Sequence, residues 1–185
     1  MRIIAGFLRG RTIKVPNSKQ VRPTTDKNRE AIFNFLNNIF DFSNARVCDL
    51  YAGSGALGFE ALSRGAEFVD FVEQNFKVYK NIQENILTLN VGDSCKVYKN
   101  DAVKFSSQTE KEFDLIIADP PFFRNDIYKV FQNIFSRNLL SENGLLVIER
   151  SIQTKEKDAE AFGANPARRL GDSLIYIFKM KDEKK

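Results

Sequence analysis

From residue 45 onward, short apolar runs alternate with longer segments in which apolar residues recur every three or four positions. The apolar runs predict strands, and the longer segments predict helices. The strands are expected at 45–50, 67–73, 95–99, 113–119 and 144–150, and the helices at 56–65, 75–90, 102–106 and 126–138. Such alternation, with several strands apolar on both faces, predicts a mainly parallel sheet covered by helices on both sides.

The beginning of the chain follows a different pattern. The runs 2–6 and 11–15 alternate polar and apolar residues around "FLRG", which predicts a β-hairpin. After a loop, Thr24 or Thr25 is expected to cap a helix that extends to about Phe40. This N-terminal hairpin would extend the α/β core.

The end of the chain also departs from strand–helix alternation. Residues 167–180 contain two short apolar runs around "GD", which predict an antiparallel hairpin at the edge of the sheet. Residues 151–166 are polar and are expected to form a loop with some helix. We predict a single domain over 1–185, with a basic hairpin and loop at 1–23, a core at 24–180 and a charged tail at 181–185.

Positive charge is concentrated at the N-terminus. Residues 1–30 carry eight basic and two acidic side chains, whereas the other 155 residues carry 20 basic and 22 acidic ones. A basic segment on a near-neutral body is typical of proteins that bind a polyanion, although a simply solvated terminus would look the same. The outward positions of the predicted hairpin hold the candidate polyanion contacts Arg2, Arg9, Arg11 and Lys14.

The composition excludes several kinds of chemistry. The chain has no histidine, which excludes Ser-His-Asp triads and His-ligated metals. Cys48 and Cys95 are far apart and lie in predicted strands, so we expect core residues, no metal site and a reduced, cytoplasmic environment. No apolar run approaches the roughly 20 residues that a membrane span needs.

A glycine-rich turn joins the first predicted strand to the helix after it. The stretch "DLYAGSGALG" places Gly53, Gly55 and Gly58 in a G-x-G-x-x-G pattern. Such a turn is compatible with a dinucleotide, whose pyrophosphate would bind the helix N-terminus. Asp49 argues against a pyrophosphate, because its carboxylate would repel the phosphates, and it favours the cationic cofactor S-adenosylmethionine.

Two further acids follow the next two predicted strands. Glu73 is placed to accept the ribose hydroxyls of a cofactor, and Asp101 to accept the adenine amino group. Ligands bind at the carboxyl ends of the strands in open α/β sheets. Each acid also has a structural alternative: Asp49 a turn cap, Glu73 a solvated strand end and Asp101 a helix cap.

The fourth predicted strand ends in "DPPFF" at the same edge. Two prolines remove backbone donors, so this turn offers carbonyl and carboxylate acceptors beside aromatic rings. Acceptors beside an aromatic plate suit a planar ligand with an exocyclic amine. Hydrogen bonds to Asp119 and the Pro120 carbonyl would direct the amine lone pair towards a methyl group and stabilise the charge that develops on nitrogen.

Several motifs together carry a family resemblance: "MRIIAGFLRGRTIKVP", "RPTTDKNREAIFNFL", "AGSGALGFEALSRGA", "DPPF" and "GDSLIYIF". The chain resembles the bacterial 16S rRNA guanine-N2 methyltransferases of the RsmD type, which are class I S-adenosylmethionine-dependent enzymes. The resemblance implies a Rossmann-like fold with a mostly parallel seven-stranded sheet, an antiparallel C-terminal edge hairpin and an N-terminal β-hairpin extension. It also implies a 16S rRNA substrate within the small ribosomal subunit or an assembly intermediate; a monomer is expected.

The resemblance assigns roles to individual positions. The implied catalytic turn comprises Asp119, Pro120, Pro121 and Phe122, and the implied S-adenosylmethionine site comprises Asp49, Ala52, Gly53, Ser54, Gly55, Glu73, Asp101 and Ala102. Arg22 and Arg29 would be partners of a phosphate or a carboxylate. Tyr51 stands where Phe or Cys is expected in the family, which changes little.

Three other functions remain open from the sequence. A DNA or RNA adenine-N6 methyltransferase would use the same turn, but 185 residues leave little room for the extra recognition region that such DNA enzymes usually need. A nucleotide- or RNA-binding module without activity would have little use for "DPPF". A dinucleotide dehydrogenase would bind NAD rather than S-adenosylmethionine.

Overall fold

The computed structural model describes residues 1–15, 26–121 and 124–180. Within them, seven strands form one sheet in the order β3-β2-β1-β4-β5-β7-β6. The strands are β1 (Arg46–Leu50), β2 (Phe68–Val72), β3 (Cys95–Tyr98), β4 (Phe113–Ala118), β5 (Leu140–Ser151), β6 (Arg168–Leu170) and β7 (Ser173–Lys179). The first five are parallel, and β7 is antiparallel to both β5 and β6. The predicted seven-stranded sheet with an antiparallel C-terminal edge is confirmed.

Within the described residues, six α-helices cover the two faces of this sheet. They are α1 (Asp26–Leu36), α2 (Ala56–Ser63), α3 (Phe76–Leu89), α4 (Ala102–Gln108), α5 (Asp126–Ser136) and α6 (Lys155–Phe162). One buried cluster joins the first three helices through Ile32, Phe59 and Ile82. A second cluster joins the last three through Phe105, Ile134 and Phe162. The apolar strands therefore pack on both sides, as a parallel sheet requires.

Some boundaries differ from the sequence prediction. Helix α1 ends at Leu36 rather than near Phe40, because two asparagines follow and the backbone forms tighter turns there. Strand β5 begins at Leu140 rather than at residue 144. Phe113 of β4 pairs with Leu140, the register then shifts, and regular pairing continues from Leu115 with Leu145. The 151–166 segment contains the short helix α6. The predicted caps Thr24 and Thr25 and the tail 181–185 lie outside the described residues.

The N-terminal segment pairs with itself but does not form regular strands. Arg2 and Thr12 make a single antiparallel bridge, and the Ile3 amide donates to the Arg11 carbonyl at 3.0 Å. The next two amides, of Ile4 and Ala5, instead donate to the Glu60 carboxylate of α2, at 2.8 and 3.1 Å. The predicted hairpin is thus reduced to a bridge, and two of its backbone donors are bound by a helix side chain instead.

Gly6 allows this segment to approach α2 closely. Its φ is +79°, and a Cβ at this position would lie 1.6 Å from the Ser63 carbonyl oxygen. The next two amides, of Phe7 and Leu8, donate to the Ser63 carbonyl and hydroxyl, both at 2.9 Å. Glycine is therefore required here by conformation and by space.

Candidate cofactor and substrate site

The glycine loop lies at the point where the strand order reverses, between β1 and β4. Ligands bind at such switch points in open α/β sheets. Tyr51, Gly53 and Gly55 have φ values of 60°, 55° and 80°, all in the left-handed region. This conformation turns the chain from β1 into α2 and lets the Ala52 amide bond to the Val72 carbonyl at 3.0 Å. The loop is therefore fastened to the end of β2.

Gly58 serves packing rather than ligand contact. A Cβ at this position would lie 2.3 Å from Cε1 of Phe71, a fully buried ring of β2. The third glycine of the motif thus allows α2 to lie close against the sheet, which places the loop before it.

Asp49 is buried beneath the glycine loop. Its Oδ2 accepts a hydrogen bond from the Gly58 amide at 2.8 Å. Burial raises the pKa of the Asp49 carboxyl well above its usual range; the Gly58 bond opposes this rise, and the charges of Asp119 and Glu73 add to it. Asp49 therefore supports the glycine loop from below, a role similar to the turn cap that was its structural alternative. Its carboxyl group also lies within electrostatic reach of Asp119 and Glu73, two other predicted site residues.

Glu73 ties the glycine loop to the end of β2. Its two carboxylate oxygens accept from the Gly53 amide at 3.1 Å and the Asn75 amide at 2.6 Å. Burial raises the pKa of Glu73, while these amide bonds and the charge of Arg124 oppose the rise. These two amides therefore fix the orientation of the carboxylate that is predicted to accept the ribose hydroxyls.

Asp101 has two functions in the structure. Its Oδ1 caps α4 by accepting from the amides of Val103 at 2.9 Å and Lys104 at 3.2 Å. Its Oδ2 lies 3.4 Å from Nη2 of Arg124. The helix-cap alternative is therefore observed, while the second oxygen points to a basic side chain and stays accessible to a ligand amine. Ala102 and Ser54, also predicted cofactor contacts, are buried next to these groups.

The predicted catalytic turn begins between β1 and β5. Ala118, the last residue of β4, pairs with Leu50 of β1 and Ile148 of β5, so Asp119 follows at the carboxyl edge. Pro120 is buried and Pro121 is exposed. The Pro121 carbonyl accepts from the Arg124 amide at 2.9 Å. Phe122, predicted to stack on the substrate, lies outside the described residues.

The structure adds an acid that the sequence interpretation missed. Glu149 is the residue after Ile148, so the register places it beside Asp119 on the neighbouring strand. Residues 117 and 147 pack in one cluster and 118 and 148 in the other, so Asp119 and Glu149 belong to the same sheet face. Ser173 Oγ donates to Glu149 Oε1 at 2.6 Å. The rule that selected Asp49, Glu73 and Asp101, an acid at a strand end, would also have selected Glu149.

The predicted basic contacts have different environments. Arg2 and Arg9 are exposed. Arg11 donates to the Thr88 carbonyl at 2.8 Å, and Lys14 pairs with Glu84 at 3.2 Å, both on α3 and both still exposed. Arg22 lies outside the described residues.

Arg29, predicted as the partner of a phosphate or a carboxylate, lies beside a buried carboxylate. Its side chain is 1% exposed, beneath the N-terminal segment. It donates to the Arg2 carbonyl, and its Nε lies 3.9 Å from the Glu60 carboxylate. The predicted carboxylate partner is therefore a buried protein side chain. The pattern of hydrophobic positions in α1 could not predict the burial of Arg29, because its partners Arg2 and Glu60 are more than 25 residues away in the sequence.

The basic N-terminal segment, residues 1–15, extends from the carboxyl ends of the strands to the opposite edge of the sheet. Near the glycine loop, the Lys14 carbonyl accepts from Asn85, which also donates to the Ser54 carbonyl at 3.3 Å. At its other end, Phe7 is bound to Ser63, the last residue of α2, which lies at the opposite edge because α2 crosses from the end of β1 to the start of β2. Phe7 is 68% exposed.

Other kinds of site find no support in the described part of the chain. Cys48 and Cys95 are free thiols, and burial raises the pKa of both. Residues 1–15, 26–121 and 124–180 contain no cluster of three or more acidic or cysteine side chains arranged to hold a metal ion. None of the helices described here is long and apolar enough to cross a membrane.

The chain is similar to known proteins over most of its length. A family model described as Conserved hypothetical protein 95 matches residues 1–179. The chain belongs to this family. It is 39% identical to YlbH of Bacillus subtilis over 152 residues, which cover 80% of this chain and 82% of that protein. It is 36% identical to the ribosomal RNA small subunit methyltransferase D of Escherichia coli over 167 residues, which cover 90% of this chain and 80% of that protein.

Two solved structures have the same fold. The structure of yhhF from Escherichia coli superposes with a TM-score of 0.80 at 30% identity and covers 97% of both chains. A hypothetical protein of Thermus thermophilus gives a TM-score of 0.79 at 24% identity, covering 97% of this chain and 99% of that chain, which supports the fold alone. The resemblance to the RsmD type is thereby confirmed.

Proposed function

We propose that this protein transfers a methyl group from S-adenosylmethionine to the exocyclic N2 amine of one guanine in 16S rRNA. The observation that carries the proposal is the Asp119-Pro120 turn, which lies at the switch point of the sheet beside the glycine loop. Relatives named ribosomal RNA small subunit methyltransferase D match most of the chain and support an rRNA substrate.

The residues around the switch point fit S-adenosylmethionine better than a dinucleotide. The charges of Asp119 and Glu73 both act on the buried Asp49, and such a group of acids would favour a cation and repel a diphosphate. Glu73 would accept the ribose hydroxyls, Asp101 the adenine amine, and the backbone of the glycine loop would contact the amino-acid end. The cofactor supplies an electrophilic methyl group on a sulfonium.

The turn would activate the substrate without a strong base. The exocyclic amine of guanine is a poor nucleophile, because its lone pair is delocalised into the ring. Asp119 and the Pro120 carbonyl would accept its two hydrogens, favour a more tetrahedral nitrogen and stabilise the positive charge that develops there. Alignment of this nitrogen with the methyl group supplies much of the remaining rate enhancement. Phe122 would stack on the flipped base.

The position of Glu149 favours guanine over adenine. Guanine presents N1–H next to its N2 amine, whereas adenine presents a bare N1 acceptor next to its N6 amine. With Asp119 on the amine, the neighbouring carboxylate of Glu149 would accept the guanine N1–H and repel the adenine N1 lone pair. An adenine-N6 methyltransferase is therefore the second candidate, favoured only by the Asp-Pro-Pro turn itself.

The basic segment would dock the RNA. Arg2 and Arg9 are exposed along a track that leads from the glycine loop to the far edge of the sheet. A track of this length suits a folded RNA surface such as the small subunit or an assembly intermediate. We place the reaction in the cytoplasm, with a monomeric enzyme.

Nucleoside analysis tests this proposal. Small subunits that lack the modification are incubated with the protein and labelled S-adenosylmethionine, and the RNA is digested to nucleosides. The proposal predicts label in N2-methylguanosine. Label in N6-methyladenosine would establish the second candidate instead, and tight binding of NAD without binding of S-adenosylmethionine would contradict both.

A further inference from the structure

Arg124 connects the catalytic turn to the predicted adenine site. Its backbone amide donates to the Pro121 carbonyl at 2.9 Å. Its guanidinium Nη2 lies 2.6 Å from Asp126 and 3.4 Å from Oδ2 of Asp101. Its charge also opposes the burial that raises the pKa of Glu73, so it lies within electrostatic reach of the predicted ribose site. No role for this arginine follows from the motifs or from the proposed reaction.

The guanidinium and a bound adenine amine would compete for the same oxygen. Oδ1 of Asp101 is already engaged by two amides of α4, so Oδ2 is the acceptor that remains for a cofactor. Arg124 contacts that oxygen at 3.4 Å, which is long for a charged hydrogen bond. Its contact with Asp126 at 2.6 Å is shorter. The guanidinium is thus able to leave Asp101 while it stays bound to Asp126.

Leaving Asp101 has a small energetic cost. Both side chains are about one-third exposed (36% each), and ion pairs with this exposure contribute little, commonly about 0–1 kcal/mol. A cationic cofactor adds positive charge beside Arg124 and also favours its departure. The exchange would therefore be driven by cofactor binding.

A displaced Arg124 would lie near the RNA phosphates that flank the target guanine. Acidic side chains surround the turn: Asp119 and Glu73 lie within electrostatic reach of Asp49, and Asp126 within reach of Tyr51. Ionised carboxylates repel phosphates. A flipped guanine brings its own flanking phosphates to this edge. Arg124 is tied to the turn through its backbone, and a guanidinium binds phosphate with two parallel hydrogen bonds.

We propose that cofactor binding moves Arg124 from Asp101 to an RNA phosphate that flanks the target nucleotide, which couples the two binding events. This inference rests on the proposed function, because it takes the cofactor and RNA from it. Coupling between two ligands is reciprocal, so the cofactor strengthens RNA binding by the same factor by which RNA strengthens cofactor binding. We expect a factor of about five or more, the lower end of common coupling energies.

The experiment compares the wild type with Arg124→Gln. Dissociation constants for unmodified small subunits are measured with and without sinefungin, an unreactive cationic analogue of the cofactor, and those for sinefungin are measured with and without subunits. In the wild type, sinefungin is expected to tighten subunit binding about fivefold or more. In Arg124→Gln this ratio is expected to fall to about one, while sinefungin alone binds at least as tightly as to the wild type.

Two further variants separate coupling from general effects. Arg137→Gln removes an exposed arginine that donates to the Thr109 carbonyl, away from the turn, and is expected to keep the wild-type ratio. Asp101→Asn retains a helix cap but removes the charge that holds Arg124. Without sinefungin, this variant is expected to bind subunits more tightly than the wild type does.

Three results would overturn the inference: a wild-type ratio near one, an Arg124→Gln ratio equal to the wild-type ratio, or weaker binding of sinefungin alone by Arg124→Gln. The last result would make Arg124 a structural part of the cofactor site. Failure of the proposed function looks different, because the wild type would then bind sinefungin or subunits weakly or not at all.

Discussion

Glu149 is the residue that would separate guanine from adenine. We predict that Glu149→Gln lowers kcat/KM for methyl transfer to unmodified subunits about tenfold or more, since a charge-assisted hydrogen bond to N1–H contributes on the order of 1.5–3 kcal/mol. The dissociation constant of the cofactor should be unchanged. Glu142→Gln, on the same strand but exposed at its other end, is the matched control. Equal activity of Glu149→Gln and the control would refute this role.

We predict that Glu73 makes cofactor binding sensitive to acid. Because burial raises the pKa of Glu73 above its ordinary 4.5, this group takes up its proton at a higher pH than a free glutamate does. Protonation removes a negative charge and an acceptor, so affinity for S-adenosylmethionine should fall on acidification, beginning above pH 4.5. Titration of the dissociation constant against pH measures this effect. Glu73→Gln should bind S-adenosylmethionine more weakly at about pH 8, where an ordinary carboxylate is fully ionised. It should also lose the part of the pH dependence that Glu73 causes. The same pH profile in the variant and the wild type would contradict the role of Glu73.

At the residue scale, sequence rules placed the candidate residues at one edge of the sheet but did not give the contacts between them. The positions of Asp49, Glu73 and Asp101 at strand ends follow from alternation of strands and helices. The burial of Asp49 and the double engagement of Asp101 depend on α2 and α4. Arg29 was predicted to pair with a phosphate or a carboxylate, and only tertiary packing shows that a carboxylate beside it is that of Glu60.

The docking of the N-terminal segment on α2 gives a prediction at the scale of elements. Gly6 and Gly10 have nearly equal φ values of +79° and +80°, but a Cβ would strike the Ser63 carbonyl at Gly6 and meet nothing within 4 Å at Gly10. We expect Gly10→Ala to cost about 1–2 kcal/mol of unfolding free energy from left-handed strain alone. Gly6→Ala should cost clearly more, because the backbone must also move.

Chemical denaturation of the two variants measures the difference. The N-terminal segment should detach from α2 in Gly6→Ala, so subunit binding should weaken in that variant and persist in Gly10→Ala. Equal stability of the two variants would mean that the close approach to Ser63 contributes nothing.

Most elements were predictable because their apolar spacing is regular. The exceptions have local causes that spacing does not encode. Strand β5 is extended through a register shift against β4, and the N-terminal hairpin is reduced to one bridge, with two of its amides bound by Glu60, more than 50 residues away. Long-range side chain–backbone bonds of this kind cannot be read from a periodic pattern.

At the scale of the whole molecule, the charge asymmetry predicts how RNA binding depends on salt. Arg2 and Arg9 are exposed on the basic segment. If each neutralises one phosphate, the slope of log affinity against log salt should decrease in magnitude by about 0.7–0.9 per residue removed. Binding of subunits by Arg2→Gln/Arg9→Gln across a salt series measures this slope, and cofactor affinity should not change. An unchanged slope would mean that the basic segment is merely solvated.

The fold was predictable as a whole because a parallel sheet with covered faces leaves few topologies, and the switch point then fixes where a ligand binds. The path of the basic segment was not predictable. Only the structure shows that Asn85 links one end of this segment to Ser54 in the glycine loop, and that Phe7 is bound to Ser63 at the far edge. The contact of Arg124 with Asp101 likewise joins residues of two different loops.

Asp119, which follows β4 at the switch point, is the residue on which the proposed reaction depends most directly. The decisive measurement is transfer of labelled methyl groups to unmodified small subunits by wild type and by Asp119→Ala, with cofactor affinity measured in parallel. We predict that Asp119→Ala binds S-adenosylmethionine within about twofold of the wild type and transfers methyl groups at least about 100-fold more slowly, the usual cost of removing a group that stabilises developing charge. Transfer by Asp119→Ala at the wild-type rate would contradict the account.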